Sequence, residues 1–304
     1  MVENIAYNQG KLVYHYTRSE TFLKIIEGMQ DGKIFLRASS MHGLNDTSEF
    51  VYGVKQLRRI LPAIEHTIQK EGCKIDDNQL ISKAIVEDER RHSGNWCESF
   101  ADYMLKGYWT PYVISTSSKR DYIPMWSMYG DAGKGIAIGI DVANCVKKEG
   151  EILTPNEGPQ AFKVVQTLSL NHPASLICKK DYRDYLTKVR NVSNQYEVMR
   201  MMVLTFGQMT LYTAPLLKHP AYTYENEWRL IAFKQQTDNL KFSINNKSNM
   251  TSYIEVAIPI EQLRKIVIGP CCSNAYQIYL IKKMLYDKGI KDCKITKSKV
   301  PLRM

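Results

Sequence analysis

The sequence predicts a single α+β domain spanning residues 1–304. Short runs of β-branched and aromatic residues recur along the chain, two long blocks have the apolar spacing of amphipathic helices, and no segment reads as a linker or a repeat. With 304 residues, 44% of them hydrophobic and 24% charged, the chain is long enough to bury one large core. We therefore expect strands and helices to share that core.

The predicted strands are short and rich in residues that favour extended backbone. The first, residues 11–17, ends in His15-Tyr16-Thr17, and a later one, 112–118, ends in a run of hydroxyl side chains. Further strands are predicted at 33–37, 135–141, 162–168, 222–233, 240–244, 252–258, 265–270 and from 293. A helix capped by Thr17 or Ser19 and closed by Gly28 is expected after the first strand, and another at 274–288.

Two helical insertions are predicted, at about 50–108 and 180–217. In the first, Leu57, Leu61, Ile64 and Ile68 fall on one helical stripe. The second has an apolar stripe rich in methionine, which is typical of irregular core packing.

The charge predicts an anionic partner. A net charge of +10 attracts polyanions, so nucleic acid or a phosphate-bearing ligand is one interpretation, and an ordinary basic protein is the other because the charge is spread along the chain. No apolar run is long enough to span a bilayer, and the first residues lack the layout of a signal peptide. We expect a cytoplasmic protein whose seven cysteines, with no CxxC spacing, are reduced.

Residues 222–233 place two carboxylates on one predicted strand. Side chains on a strand alternate between faces, so Glu225 and Glu227 should share one face, with Tyr224 and Trp228 on the other. Two like charges on one face resist burial, which makes the pair a candidate site. The alternative is a solvated edge strand in which Arg229 pairs with one of the carboxylates.

Several site classes are disfavoured. None of the six histidines has zinc-ligand spacing to another histidine or a cysteine, and there is no GxSxG motif. Gly133, Gly135 and Gly139 precede or interrupt a strand and do not open a helix, so they do not form a dinucleotide fingerprint. What remains is a trio in chain order, formed by 15–17, 115–117 and 225–227.

Four motifs carry a family resemblance. They are Tyr14 to Thr17, Leu44 to Asp46 with Glu49, Met125 to Gly130, and Glu225 to Ile231. On these motifs the chain resembles a bacterial family catalogued as domain of unknown function 2971. The trio is in turn similar to the ADP-ribosyltransferase superfamily, in which a histidine or arginine, a serine- and threonine-rich strand end and a glutamate line one NAD pocket. This second resemblance implies a core of two small packed β-sheets that carries the helical insertions.

The ADP-ribosyltransferase resemblance implies a role for each site residue. Glu227 would stabilise the positive charge on the ribose as nicotinamide leaves, and Glu225 would act as the general base on the acceptor side. His15 would bind the adenosine-side ribose, and Arg37 or Arg120 would meet the pyrophosphate. The remaining pocket residues would be Tyr16, Thr17, Ser115, Thr116, Trp126 and Tyr129, with the aromatic rings stacking on nicotinamide or adenine.

The implied function is transfer of ADP-ribose from NAD, as substrate, to a macromolecule, with RNA or DNA as the first acceptor to consider. The resemblance suggests a toxin or phage-defence effector. Alternatives are an NAD glycohydrolase, a non-catalytic nucleic-acid-binding or adaptor module, and a nuclease in which Asp46, Glu49, Glu225 and Glu227 hold Mg²⁺. Ordinary structural uses also stay open: His15 as a partly buried histidine, Ser115 and Thr116 as strand-end hydroxyls, Trp126 and Tyr129 as core aromatics.

Overall fold

A computed structural model describes most of the chain. The described residues are 12–41, 48–91, 96–105, 109–143, 160–166, 169–235, 240–244, 248, 250–272 and 274–301. Asn45 and Asp46 of the second motif lie outside these ranges.

Ten strands form one open sheet. They are β1 (Leu12–Thr17), β2 (Lys33–Ser40), β3 (Trp109–Ser117), β4 (Ile136–Asp141), β5 (Gln160–Lys163), β6 (Glu227–Gln235), β7 (Lys241–Ile244), β8 (Met250–Pro259), β9 (Leu263–Ile268) and β10 (Lys294–Lys297). The order is β10-β9-β4-β1-β3-β2-β8-β7, with β6 pairing to β3 and β5 pairing to β6. Only the β9–β10 pair among them is parallel. The α+β class is confirmed, and the strands of the described residues are hydrogen-bonded into one branched sheet.

Eight α-helices accompany the sheet in the described residues. They are α1 (Ser19–Glu27), α2 (Ser48–Lys70), α3 (Ile81–Arg91), α4 (Trp96–Leu105), α5 (Ile123–Met128), α6 (Pro173–Val189), α7 (Gln195–Thr213) and α8 (Ala275–Asp287). Helices α2 to α4 occupy the first predicted insertion. The second helical block begins earlier than predicted, because the His172 side chain accepts a hydrogen bond from the Ala174 amide and Pro173 suits the first helical position.

The sheet branches at β3. One edge of β3 pairs with β6 along its whole length. The other edge pairs with β1 only at Tyr14↔Ser117. It pairs with β2 four residues earlier on β3, at Val113. Since β1 and β2 diverge between these points, the carbonyl of Ser115 accepts a hydrogen bond from the His15 side chain, with an Nδ1 to O distance of 3.1 Å.

Both faces of the sheet are covered by helices. Helices α2, α4, α6 and α7 form the largest apolar cluster with Val113, Ile231 and Phe233. Helices α1 and α8 pack on the opposite face. The short helix α5 covers Tyr14 and Tyr16 of β1. Each fully buried aliphatic side chain in these clusters contributes about 1.5–3 kcal/mol.

Gly53 allows α2 to pack closely against the turn that follows α7. A Cβ atom at Gly53 would lie 2.4 Å from Cα of Ala214, in the 3₁₀ turn Ala214–Leu216. The helix therefore approaches this turn more closely than any side chain would permit. Glu49 lies one helical turn before Gly53, on the same side of α2.

The predicted strand at 222–233 begins only at Glu227. Pro220–Glu225 forms a 3₁₀ helix, and Asn226 adopts the left-handed conformation, with φ 47° and ψ 45°. Asparagine tolerates this conformation better than most residues, and it reverses the chain direction before β6. The expected same-strand alternation of Glu225 and Glu227 is therefore wrong, and so is the solvated edge, because β6 lies between β3 and β5.

Smaller differences concern strand and helix ends. The strand predicted at 162–168 is β5, which ends at Lys163, and Val165 then forms an isolated bridge with Leu217. The N-cap of α1 is Arg18, whose side chain makes no capping hydrogen bond, in place of Thr17 or Ser19. Among the described residues no helix is both long enough and apolar enough to cross a membrane.

Candidate active site at the junction of sheet and helices

Five charged side chains are buried together where β6 meets the helical layer. They are Glu49, Lys218, Glu225, Glu227 and Arg229, which we call the ionic cluster. Each of these side chains retains at most 7% of its accessible surface. Charged side chains are almost never buried to this extent unless they are paired.

Lys218 joins the carboxylates. Its ammonium group donates to Oε2 of Glu225 at 2.6 Å and to Oε2 of Glu227 at 2.9 Å. The same Nζ atom lies 3.4 Å from Oε1 of Glu49. Although the two glutamates of the predicted pair do not share a strand, they converge on one cation.

Arg229 closes the other side of the cluster. Its Nε donates to Oε1 of Glu227 at 2.9 Å, and its Nη2 donates both to Oε2 of Glu227 at 3.1 Å and to a carboxylate oxygen of Glu49. Its Nη1 donates to the carbonyl of Pro215 at 2.9 Å. The planar guanidinium group thus binds Glu227 in a bidentate manner, which is its strongest form of carboxylate recognition.

The cluster contains three carboxyl groups and two cations. Burial raises the pKa of Glu227, but the attraction of Arg229 and Lys218 outweighs it and lowers that pKa to about 2. Burial dominates at Glu49, whose pKa is raised in spite of the same two cations. Glu49 is therefore protonated before Glu227 as the pH falls, and Glu227 is the carboxylate that stays ionised.

Tyr129 adds a neutral donor. Its hydroxyl donates to Oε1 of Glu225 at 2.9 Å. Burial and the nearby charge of Glu225 raise the pKa of Tyr129, which keeps the hydroxyl protonated. Tyr129 is half-buried, so it joins the cluster to the accessible surface.

The structure links the predicted trio through Ser115, with His15 and Glu227 on opposite faces of the sheet, because Tyr14 and not His15 is in register with Ser117 and Glu227. His15 is hydrogen-bonded to the carbonyl of Ser115, and the exposed Ser115 hydroxyl forms a hydrogen bond that helps to lower the pKa of Glu227. Ser117 is the register partner of Glu227, and its hydroxyl donates to the carbonyl of Glu225 at 2.6 Å. Burial lowers the pKa of His15, so its imidazole is neutral near pH 7.

Other predicted pocket residues lie in the core beside this junction. The Tyr16 hydroxyl donates to the carbonyl of Lys119 at 2.8 Å, and its ring meets Trp126 edge to face at 4.8 Å. Trp126 has no accessible surface, and its Nε1 donates to Asp121. Trp126 therefore offers no free ring face in this structure and packs as a core aromatic.

The two threonines of the predicted pocket are also buried. Thr17 is 7% exposed and Thr116 is 2% exposed, and the Thr116 hydroxyl donates to the carbonyl of Trp228 at 2.8 Å. Arg37 lies on β2 with its guanidinium 4.6 Å from the centre of the Tyr253 ring. Arg120 is exposed in the bend after β3.

Sequence reasoning missed Lys218 and the role of Glu49. Lys218 directly follows the helical block predicted at about 180–217, and nothing in its local sequence distinguishes it from an exposed lysine. Glu49 belongs to the second motif, and this membership was the signal that could have identified it. The carboxylates named for the Mg²⁺ alternative, so far as they are described, are already engaged by Lys218 and Arg229.

Two cavities lie elsewhere, in the helical layer. One, of 550 Å³, lies between α3, α4 and α7 and has an aromatic floor that includes Trp96, Phe100 and Phe206. The other, of 840 Å³, lies between α2 and α3 and is lined by basic side chains, among them Arg58, Arg59 and Arg90. Neither is lined by a residue of the ionic cluster.

The chain was compared with known proteins. A family model described as "Protein of unknown function (DUF2971)" matches residues 125–230, a segment that contains the third motif and most of the fourth. The match shows that this segment is similar to that family, and it carries no activity with it. No curated protein and no solved structure matched the chain.

Proposed function

We propose that this chain is an ADP-ribosyltransferase-like enzyme that moves ADP-ribose from NAD to a macromolecular acceptor, with nucleic acid as the first acceptor to test. The observation that supports the proposal is that Ser115 of β3 contacts both other members of the trio, through its carbonyl to His15 and through its hydroxyl to Glu227. These residues come from three distant parts of the chain and have the types that the reaction needs. The proposal includes an ADP-ribosyltransferase-like core and a cytoplasmic toxin or phage-defence role.

The chemistry requires an anion that stays charged beside the reacting ribose. In the reaction the bond between ribose C1′ and the nicotinamide nitrogen breaks, and nicotinamide leaves with the electron pair. A carboxylate then stabilises the positive charge that develops on the ribose. Glu227 suits this role, because Arg229 and Lys218 hold its pKa near 2 and fix its orientation.

His15 and Ser115 suit ribose hydroxyl groups. Since the carbonyl of Ser115 can only accept, Nδ1 of His15 carries the proton of their hydrogen bond, and Nε2 of the neutral ring is left as an acceptor. The exposed Ser115 hydroxyl lies between this histidine and Glu227. Together they would fix a sugar at the divergence of β1 and β2.

Glu225 would serve the acceptor. The new bond forms between the acceptor's oxygen or nitrogen and C1′, and the acceptor's proton must leave. Glu225 would receive it, and its two oxygens now accept hydrogen bonds from the Lys218 ammonium and the Tyr129 hydroxyl.

The test incubates the protein with NAD labelled in its adenylate moiety and, in separate reactions, with cellular RNA, DNA and protein. We expect labelled acceptor and free nicotinamide from the wild type and loss of both from Glu227→Gln. Ser115→Ala serves as a second variant, because an exposed hydroxyl can be removed without unfolding the protein. Glu255→Gln, an exposed glutamate on β8, is the matched control and should retain activity.

Two results would contradict the proposed transfer of ADP-ribose. If the wild type releases no nicotinamide and labels no acceptor in any of the three fractions, the chain is not this enzyme. Nicotinamide release with free ADP-ribose as the sole labelled product would assign it instead as an NAD glycohydrolase.

A second candidate is a non-catalytic nucleic-acid-binding or adaptor module. The observation that favours it is that every carboxylate in the ionic cluster contacts Lys218 or Arg229, as the carboxylates of a purely structural cluster also must. For that function, nucleic-acid binding should fall steeply with salt and persist in Glu225→Gln and Glu227→Gln.

A further inference from the structure

The free edge of the sheet at β10 is basic. Between residues 288 and 299 there are five lysines and one aspartate. Lys294 of β10 is exposed, and its register partner on β9 is Lys265. Two lysines thus lie side by side on one face of the sheet.

A third cation joins them. Arg120, exposed in the bend after β3, lies close enough to Lys265 that it lowers the pKa of that lysine, after burial and together with Lys294. Within the part of the chain that the structure describes, none of the three forms an ion pair with a carboxylate. Like charges gathered without a counter-ion repel one another, and an anion bound between them removes that cost.

Two of the three cations, Lys265 and Lys294, share a sheet face with the ionic cluster. Register partners run from Lys294 through Lys265, Gly139, Tyr14 and Ser117 to Glu227. Partners in register point to the same face, and neighbouring strands are about 4.8 Å apart, so Lys265 lies four spacings, about 19 Å, from Glu227. At Gly139 a Cβ would lie 3.0 Å from both the Lys265 and the Tyr14 side chains, and α5 covers Tyr14 between the lysines and Glu227.

We propose that Arg120, Lys265 and Lys294 bind backbone phosphates of a nucleic acid and hold it with a neighbouring segment at the ionic cluster. At about 3.4 Å of helix axis per stacked nucleotide of one strand, the distance corresponds to about six stacked nucleotides. The inference rests on the nucleic-acid acceptor of the proposed function and adds where that acceptor is held. Three separate cations suit a chain of phosphates better than a single anion.

The test measures binding without NAD, so that it does not depend on catalysis. A fluorescein-labelled single-stranded RNA of about 12 nucleotides, twice the estimated span, is titrated with the full chain over a series of KCl concentrations. We expect Lys265→Gln/Lys294→Gln to weaken binding by about tenfold and to reduce the slope of log affinity against log salt by about 1.4, since each phosphate contact on a single strand contributes about 0.7. Arg120→Gln should reduce the slope by half as much.

The matched control removes the same charge elsewhere. Lys282 and Lys283 are exposed on α8, which packs on the opposite face of the sheet, and Lys282→Gln/Lys283→Gln should change affinity less than twofold. Equal effects of the two pairs would show that only net charge matters and would overturn the proposal, as would a wild type that does not bind the RNA.

Two further arms identify the source of the phosphate. If NAD or ADP-ribose displaces the RNA, the three cations belong to the pyrophosphate of NAD and the proposal is wrong. Binding to phosphatidylcholine–phosphatidylserine vesicles that is lost in the same double variant would assign the surface to a lipid instead. RNA binding by this surface in a protein that releases no nicotinamide would leave the inference standing while the proposed enzyme failed.

Discussion

Two buried glutamates of this protein are stabilised in different ways. Glu65 on α2 is 3% exposed and accepts hydrogen bonds from the Ser82 amide at 2.9 Å, the Ser82 hydroxyl and the Tyr182 hydroxyl at 2.8 Å. Glu227 on β6 is 6% exposed and is bound by Arg229 and Lys218. The first has neutral partners and the second has cations.

The difference shows what each site can do. Neutral donors at Glu65 fix the start of α3 against α2 and α6, and they leave a single arrangement of protons. In the ionic cluster the surplus carboxyl group lets one proton be gained or lost without breaking the assembly. A site of that kind can take part in proton transfer, whereas the Glu65 network is suited to holding helices together.

Removing Arg229 should have the largest effect on stability. Arg229→Met removes a buried donor from Glu227, Glu49 and the carbonyl of Pro215, and breaking a buried ion pair in this way costs about 3–5 kcal/mol. Urea unfolding followed by circular dichroism measures it. The exposed Arg264→Met is the control and should change stability by less than about 0.5 kcal/mol. A similar value for both variants would mean that the ionic cluster does not stabilise the fold.

Acid should separate the two glutamates next. The pKa of Glu227 is lowered in the folded protein, so its contribution to stability is present above the ordinary value of 4.5 and is lost as the pH falls towards about 2. Glu49 has the opposite sign, since its raised pKa makes the folded state bind a proton more readily.

We therefore expect the unfolding free energy of the wild type to fall between about pH 5 and pH 2, and that of Glu227→Gln to fall less over the same range. Urea titrations at a series of pH values measure both. Parallel curves for the two proteins would show that Glu227 is not the carboxylate held ionised.

A moderate loss is expected where the donors are neutral. Tyr182→Phe removes the hydroxyl that donates to Glu65 and should cost about 1–3 kcal/mol, because it leaves buried polar groups unpaired. Urea unfolding followed by circular dichroism measures it. A loss as large as that of Arg229→Met would contradict the distinction drawn between the two sites.

The smallest stability change is expected at Tyr129. Tyr129→Phe removes one donor from Glu225, which keeps Lys218, so the cost should be about 1 kcal/mol or less. If Glu225 is the acceptor-side base, ADP-ribose transfer should fall about tenfold. Tyr224→Phe, whose exposed hydroxyl contacts Met128, is the matched control for both measurements. Equal transfer rates in the two variants would remove Tyr129 from the site.

Much of the fold could be predicted because its strands and helices follow local patterns. The near-continuous apolar run at 135–141 is β4, and the stripe through Leu57 and Ile64 faces the core from α2. The stretch before β6 could not be predicted in the same way. Its aromatic residues favour a strand, but Pro220 opens a 3₁₀ helix and Asn226 turns left-handed, and these local effects overrode the alternation.

The sequence predicted the carboxylates of the candidate site, but it did not predict Lys218, the cation that joins them. His15, Ser115, Glu225 and Glu227 stood in motifs that could be read along the chain. Lys218 is buried only because the chain folds back between α7 and β6, which is a tertiary property without a local signature. Trp126 shows the opposite case, since the sequence could not distinguish a stacking ring from one that the core encloses.

The close approach of α2 to the turn around Ala214 limits the substitutions that position 53 tolerates. At Gly53, even the smallest side chain would need about 1 Å of extra room, the difference between the 2.4 Å contact and an ordinary 3.4 Å one. Moving α2 by that amount would carry Glu49 away from Arg229 without altering either residue. A random-mutagenesis screen for folded but inactive variants should therefore find substitutions of Gly53 by uncharged residues. Second-site suppressors should concentrate in the turn around Ala214.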